Sequence, residues 1–406
     1  MAKENKPHIG IYGRRNNGKS SWINKLAGQD VAIVSDIAGT TTDPVKKSME
    51  IHGAGPVIMI DTAGIDDVGE LGQKRIAKTL QSINHIDLAI LVVTNNEFGE
   101  PEKKLINQFI EKEVPYFILV NKCDVDKPHE SFIQMIKKET NAEVLTSSIN
   151  NQADEDMVLS LIKKLLPENA WKKESLFGDL VSYGDVVLLI MPIDNEAPEG
   201  RLILPQVQAI RDALDNDCVA IVVKEREADA FLRNSGIKPK LAITDSSIFI
   251  KADAIVPKDV PLTGFSVLLA RHKGPFDTYL NGTPYISKLQ DGDKVLILES
   301  CTHQVSCDDI GRVKIPRWLS QFTGRKLQFE VASGLSTLSS DLKQYALVIQ
   351  CGGCMITRRQ IYSRLKPAID EGVPVTNYGM AIAYIQGIYN RAIQPFVKGH
   401  IDLSYL

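Results

Sequence analysis

Gly13-Arg-Arg-Asn-Asn-Gly18-Lys19-Ser20 constrains the fold of this chain more than any other stretch. It fits G-x-x-x-x-G-K-S/T, a phosphate-cradling loop that requires a strand before it and a helix after it. Both are present. His8-Ile-Gly-Ile-Tyr-Gly13 reads as a short strand, and Ser21-Trp-Ile-Asn-Lys-Leu-Ala27 has helical periodicity closed by Gly28. In that setting backbone N–H groups and the helix N-terminus surround phosphates. Gly13, Asn16, Asn17, Gly18 and Ser21 are therefore candidate nucleotide contacts. Lys19 would reach the β- and γ-phosphates and Ser20 would ligate Mg²⁺. The bland alternative is a chance match in an ordinary turn, and the strand–loop–helix context disfavours it.

Further strand ends carry matching chemistry. Val57-Ile-Met-Ile-Asp61-Thr-Ala-Gly64 is an apolar strand ending in Asp-x-x-Gly. Asp61 can hold the hydration shell of Mg²⁺, and Gly64 can turn its N–H toward a γ-phosphate. Tyr116-Phe-Ile-Leu-Val leads into Asn121-Lys122-Cys-Asp124. A carboxylate at Asp124 accepts from the N1–H and 2-amino group of guanine, a donor pair that adenine lacks. Ser147 and Ser148 follow the next strand, where a loop would contact guanine O6. Cys123 sits between recognition residues at a position that tolerates many side chains, and it reads as a packed bystander.

These motifs, in this order, resemble the small-GTPase superfamily over residues 6–168. Ile37-Ala-Gly-Thr40-Thr41-Thr42-Asp43 looks like the Gly-Thr-Thr-Arg-Asp switch of the tRNA-modifying and ribosome-assembly GTPases. The resemblance makes Thr41 a Mg²⁺ ligand and, with Lys19 and Gly64, a catalytic position; Thr42 departs from the usual Arg. Ile65 stands where Ras-like enzymes carry a water-orienting Gln, so intrinsic hydrolysis should be slow. Asn16 matches the Asn that coordinates K⁺ in potassium-activated relatives, which implies K⁺ in place of an arginine finger.

Composition bounds the rest. The chain has 406 residues, 44% hydrophobic, with net charge −3. That length suggests two or three domains, and the absence of a basic block disfavours nucleic-acid binding. No signal peptide is expected, and the longest apolar runs are strand-sized, short of the ~20 residues of a membrane span. The expectation is a cytoplasmic chain without membrane association, in which six cysteines serve as ligands, catalytic groups or core residues rather than disulfides.

Three consecutive α/β domains are expected: a P-loop GTPase at 1–170, a small parallel-sheet domain at 171–266 and a Rossmann-like domain at 267–406. Trp171–Phe177 reads as a linker, and Pro257–Pro261 as a break before the last domain. The middle unit carries no catalytic cluster, and Cys218 opens a core strand, so an interaction role, self-association, is expected. In the third, Lys294-Val-Leu-Ile-Leu-Glu-Ser ends in Cys301-Thr-His303, and Tyr345-Ala-Leu-Val-Ile-Gln ends in Cys351-Gly-Gly-Cys354. If the two strands are neighbours, Cys301, Cys351 and Cys354 converge at their carboxyl ends. Three thiolates suit an iron–sulfur cluster; zinc completed by His303, a redox dithiol and buried core cysteines are the alternatives. Cys307 and Asp308 lie close enough to compete for a fourth position.

The full length resembles the HydF family of FeFe-hydrogenase maturation GTPases, whose cluster motif is Cys-x-His followed downstream by His-Cys-x-x-Cys. Cys301-Thr-His303 matches the first half and Cys351-Gly-Gly-Cys354 the second, with Gln350 where the family often has His. The resemblance implies a middle dimerisation domain, a homodimer, and a 4Fe–4S cluster on Cys301, Cys351 and Cys354, with His303 as candidate fourth ligand. It also implies transient acceptance of a diiron subcluster made by the radical S-adenosylmethionine maturases HydE and HydG. Delivery to apo-FeFe-hydrogenase follows, with GTP as a switch. Two other classes remain: an RNA-modification or ribosome-assembly GTPase with a zinc-binding accessory domain, and a GTPase whose last domain only recruits partners.

Overall fold

The apolar runs ahead of each motif become neighbouring strands. The computed structural model describes residues 6–27, 44–51, 55–67, 69–166, 175–192, 202–300, 309–334, 338 and 341–397. The chain divides into two compact units, residues 3–173 and residues 174–406.

In the first unit, β1 (His8–Gly13), β2 (Val45–Ile51), β3 (Gly55–Asp61), β4 (Leu88–Val93), β5 (Tyr116–Val120) and β6 (Glu143–Thr146) form one sheet in the order β2-β3-β1-β4-β5-β6. β2 runs antiparallel to β3; all other pairs are parallel. All six residues of β4 are buried, as expected of a strand covered on both faces. β1 lies between β3 and β4. The phosphate loop therefore leaves the sheet where the strand order reverses, the place where open α/β sheets gather ligands.

The second unit holds two four-stranded sheets, both wholly parallel. One contains β7 (Val186–Ile190), β8 (Val219–Val223), β9 (Leu241–Thr244) and β10 (Leu262–Gly264) in the order β10-β9-β7-β8. The other contains β11 (Lys294–Leu298), β12 (Gln328–Ala332), β13 (Tyr345–Gln350) and β14 (Val375–Asn377) in the order β12-β11-β13-β14. The condition set by the sequence is met: β11 and β13 are neighbours, with Leu298 opposite Gln350.

Two local expectations differ. Leu176 and Phe177, placed in a linker, are buried in the core of the β7–β10 sheet. The division expected at 266/267 falls inside the helix Phe265–Lys273. That helix starts directly from β10 and has apolar residues on two sides. Phe265, Leu268 and Leu269 join the core under β7 and β9, while Val267 and Ala270 join the core under β11 and β13. Near the end of the described chain two short helices follow one another, Tyr378–Ile385 and Tyr389–Ile393. They are separated at Gly387, whose φ of 74° only glycine adopts without cost. Among the described residues no helix is long and apolar enough to cross a membrane.

Candidate functional site

The phosphate loop is built by close approach. Gly13 has φ 143°, and a Cβ there would lie 2.3 Å from the Val92 carbonyl on the neighbouring strand. Gly18 has φ 90°, and a Cβ there would lie 2.4 Å from Asn121 Nδ2. The first residue of the Asn-Lys-x-Asp motif is thus a brace for the loop. Asn121 Nδ2 donates to the Asn17 carbonyl at 2.8 Å, and Trp22 Nε1 donates to Asn121 Oδ1 at 2.9 Å. Asn17 is also committed to the fold: its amide donates to Val92 O and accepts from Thr94 Oγ1, both at 2.9 Å. Asn16, in the left-handed region at φ 60°, is exposed, as are Ser20 and Ser21.

The charges of the loop sit as a polyanion site requires. Lys19 is buried, and its ammonium donates to the carbonyls of Gly13 (3.0 Å) and Arg14 (2.8 Å). Burial lowers its pKa. Ser20 Oγ donates to Asp61 Oδ2 at 2.5 Å, while the buried Asp61 Oδ1 has no partner. A hydroxyl beside a carboxylate with a spare oxygen is a hard-oxygen donor set of the kind Mg²⁺ takes. The Asp-x-x-Gly segment folds back onto the loop. Ile65 N–H donates to Gly13 O at 3.3 Å, and a Cβ on Gly64 would lie 2.6 Å from Arg15 Cγ. Asp66 Oδ1 accepts from the Arg15 N–H at 2.8 Å, placing an anionic oxygen on the loop. Arg15 pairs with Asp67, and Arg14 with Glu97 and the fully buried Glu102. Ile65 is 8% exposed within the core of Tyr12, Ile60 and Leu91, so it cannot act on a water molecule. Thr41 lies outside the described residues.

The base end is a separate cavity of about 410 Å³ lined by Cys123, Asp124, Thr146, Ser147, Ser148, Asn150, Asn151 and Asp154. Lys122, at φ 62°, precedes it. Asn150 Nδ2 donates to Asp124 Oδ2 at 2.8 Å. Hydrogen bonds from Ser148 and Asn150 hold the Asp124 carboxyl below its ordinary pKa. Ser148 N–H is fixed by Asp154 at 2.6 Å and Ser147 N–H by Val120 O at 2.8 Å, so both serines of the lining are anchored. Cys123 packs against the core and bonds Val120 O.

The second candidate site lies at the carboxyl ends of β11 and β13. Cys351 N–H donates to Leu298 O at 2.9 Å. Ser300 N–H lies 3.1 Å from Cys351 Sγ, and Ser300 Oγ 3.0 Å from it. The residue preceding Cys301 therefore touches the Cys351 thiol, although Cys301, His303, Cys307 and Asp308 lie outside the described residues. Gln350 is fully buried and donates to Ser300 Oγ (2.8 Å) and Cys351 O (3.1 Å), leaving Oε1 without a partner. Of the two glycines, only Gly353 is conformationally required, at φ 63°; a Cβ on Gly352 would make ordinary van der Waals contact, its nearest neighbour 3.5 Å away. Cys351 and Cys354 are free thiols, and burial followed by the Cys351 charge pushes the Cys354 thiol up. The next helix begins only at Arg358, behind the Thr357 cap, so the pair does not open a helix as a thioredoxin-type dithiol does.

Sequence inspection missed the cations around these thiols. Lys273 is 2% exposed and donates to Gly353 O (3.1 Å), Cys354 O (3.2 Å) and Ile356 O (3.2 Å). Burial lowers it to about 8, and the Cys354 and Cys351 charges oppose that shift. Arg364 is 6% exposed and donates to Glu299 O (2.7 Å) and Ala332 O (2.6 Å) at the ends of β11 and β12. Burial pushes the Glu299 carboxyl up, but Arg312 and Ser333 outweigh it and hold it low. Lone cations in helices carry no motif, so nothing in the sequence marks them. Among the described residues no three His, Cys, Asp or Glu side chains gather as a metal site.

Three family models match this chain. A 50S ribosome-binding GTPase model matches residues 8–122, a Hydrogen maturase F dimerization domain model residues 176–274, and a Hydrogen maturase F tetramerization domain model residues 277–395. The first unit is accordingly a P-loop GTPase domain, followed by domains of an oligomer-forming kind. GTPase Der of Campylobacter hominis is 35% identical over 175 residues, covering 42% of this chain and 37% of Der. The tRNA modification GTPase MnmE of Chromobacterium violaceum is 41% identical over 119 residues, covering 29% of this chain and 26% of MnmE. The chain thus spans well under half the length of these curated relatives. The solved structure of Aquifex aeolicus Era bound to GDP and AlF4⁻ aligns at 20% identity with TM-score 0.34, over 56% of this chain and 97% of that one.

Proposed function

Since the chain belongs to the hydrogen maturase F family, we propose that it is a GTP-switched scaffold for metallocluster assembly. It would hold a 4Fe–4S cluster on Cys301, Cys351 and Cys354, with His303 as the candidate fourth ligand. It would accept a diiron subcluster as cargo from HydE- and HydG-type radical S-adenosylmethionine maturases and pass it to an apo-FeFe-hydrogenase. The observation that carries this is the β11–β13 pairing, which sets Ser300, the residue before Cys301 in the sequence, against Cys351 Sγ. The donor chemistry fits: two free thiols at a strand end, with buried Lys273 and Arg364 nearby, suit an anionic thiolate-ligated group. When bound there, the cluster supplies an iron position open to an exchangeable ligand. Free thiols also fit a reducing, cytoplasmic setting.

At the nucleotide, the chain's own groups do the positioning. Lys19 would leave the Gly13 and Arg14 carbonyls for the β- and γ-phosphates, and the Arg15 N–H would exchange the Asp66 oxygen for a phosphate oxygen. Ser20 and Thr41 would hold Mg²⁺, with Asp61 Oδ1 on its hydration shell. Gly64 would turn its N–H to the γ-phosphate, and Asp124, Ser147 and Ser148 would read guanine. Because Ile65 is locked in the core, charge in the transition state needs another source, and K⁺ at Asn16 supplies it. GTP hydrolysis should run at least about tenfold faster in KCl than in NaCl at equal ionic strength; equal rates refute the K⁺ role.

Oligomer formation would use the β7–β10 sheet. β8 is an edge strand with Val219 and Val222 about half exposed, at 51% and 46%, and such an edge invites pairing with a second copy. Val222→Asp should cost an edge-paired dimer about 3–5 kcal/mol, roughly 10²–10³-fold in dissociation constant. Sedimentation velocity across a dilution series reads this, and a dimer of unchanged affinity places the interface elsewhere.

Similarity to MnmE favours a second reading, an RNA-modifying GTPase with a zinc-stapled C-terminal domain. Anaerobic reconstitution of the full chain with iron and sulfide separates the two. A cluster EPR signal on dithionite reduction supports the scaffold; stoichiometric zinc with no iron uptake overturns it.

A further inference from the structure

A lysine in the last turn of a helix ordinarily serves its own helix's carbonyls or water. Lys273 does neither. It ends the helix Phe265–Lys273, yet its ammonium is spent on the carbonyls of residues 353, 354 and 356, in the turn that carries Cys354. An ammonium has three protons, so this side chain is fully used on that turn. Among the described residues no carboxylate is its hydrogen-bond partner. Glu299, at the end of β11, is bound to Arg312 and Ser333. A buried cation is costly without opposing charge, and the Lys273 ammonium is held against the backbone of Cys354 itself. The same helix packs Leu268 and Leu269 into the β7–β9 core and Val267 into the β11–β13 core. Its register on both sheets therefore fixes where the ammonium ends.

We propose that Lys273 is the positioning residue of the thiol site: it fixes the Cys351–Ile356 turn and supplies the positive charge that a metal cluster ligated there experiences. The proposal rests on the assignment of Cys301, Cys351 and Cys354 as cluster ligands. It gives the helix from β10 a role in tuning the site, which no motif assigns to it.

The test uses the full-length chain with Lys273→Met and Lys273→Gln, compared with wild type and with Cys351→Ser. Two readouts are taken: an EPR-monitored redox titration after anaerobic reconstitution, and the iodoacetamide alkylation rate of Cys354 in the iron-free chain by mass spectrometry. Both Lys273 variants should move the cluster midpoint to more negative potential, because a nearby positive charge favours the added electron. Lys273→Gln retains a donor for the turn and should keep Cys354 protected. Lys273→Met should alkylate several-fold faster. Wild-type potential in both variants, or wild-type protection in Lys273→Met, overturns the proposal. Should Lys273→Met fail to fold, the potential of Lys273→Gln decides. If wild type takes up no iron, the cluster assignment and the charge role fall together, while the alkylation rates still judge the positioning role. Iron lost in Cys351→Ser together with unshifted potentials in the Lys273 variants sinks this proposal and leaves the cluster assignment standing.

Discussion

Asp124→Asn is expected to turn a guanine-selective pocket into a xanthine-selective one. The carboxylate lies in the cavity floored by Ser147 and Ser148, and Ser148 and Asn150 hold it ionised. Two acceptor oxygens suit the two adjacent donors of guanine. An amide presents one acceptor and one donor, so its N–H meets the guanine 2-amino group donor to donor. Xanthine has a carbonyl there and restores both bonds. A buried hydrogen-bonding site left unmatched discriminates by about 10³–10⁵-fold, and that is the loss expected in kcat/KM for GTP, with XTP recovering most of it. Because the folded-state pKa of Asp124 is depressed, the carboxylate persists as pH falls toward the ordinary aspartate range. GTP affinity of the wild type should accordingly stay flat on mild acidification. A mutant that hydrolyses GTP and XTP alike places base recognition elsewhere.

Cys351→Ser is expected to abolish cluster assembly while sparing the fold. The thiol is half-buried, and among the described residues its side-chain partners are Ser300 and Gln350, both of which a hydroxyl can also bond. The stability cost should stay within about 1–2 kcal/mol, checked by thermal melting of the iron-free chain. Serine is a hard oxygen donor where iron–sulfur chemistry wants a soft thiolate. Iron should fall from about four per chain to below about one, with loss of the reduced-cluster EPR signal. Cys354→Ser should be harsher on the fold, since Cys354 also packs against the core under β7 and β9. Undiminished iron in Cys351→Ser removes that thiol from the ligand set.

The nucleotide site was legible because its motifs are local. Each is a few residues at the end of an apolar strand, and the strands arrive in one sheet. What escaped were contacts between motifs, such as Asn121 bracing Gly18 or Asp66 capping the Arg15 N–H; neither has a spacing to read. At the thiols, sequence order was misleading by itself. β12 intervenes between β11 and β13 in the chain but lies on the far side of β11 in space, and only side-by-side pairing brings Ser300 to Cys351. Lys273 and Arg364 belong to no motif, and only the folded backbone reveals that they are buried. The division expected at 266/267 falls within a helix that serves two cores, so no break in apolar residues marks it.

That shared helix also governs how this half of the chain can be taken apart. The two family domains meet between residues 274 and 277, immediately beyond Lys273, so a fragment cut there would lack Val267 and Ala270 from its hydrophobic floor. It would also leave the 353–356 carbonyls without their donor. The dividing line between the matched segments is therefore not a seam along which the protein can be cleaved. The β7–β10 and β11–β14 sheets should melt as one cooperative unit, and a free-standing C-terminal piece should expose apolar surface and aggregate rather than fold.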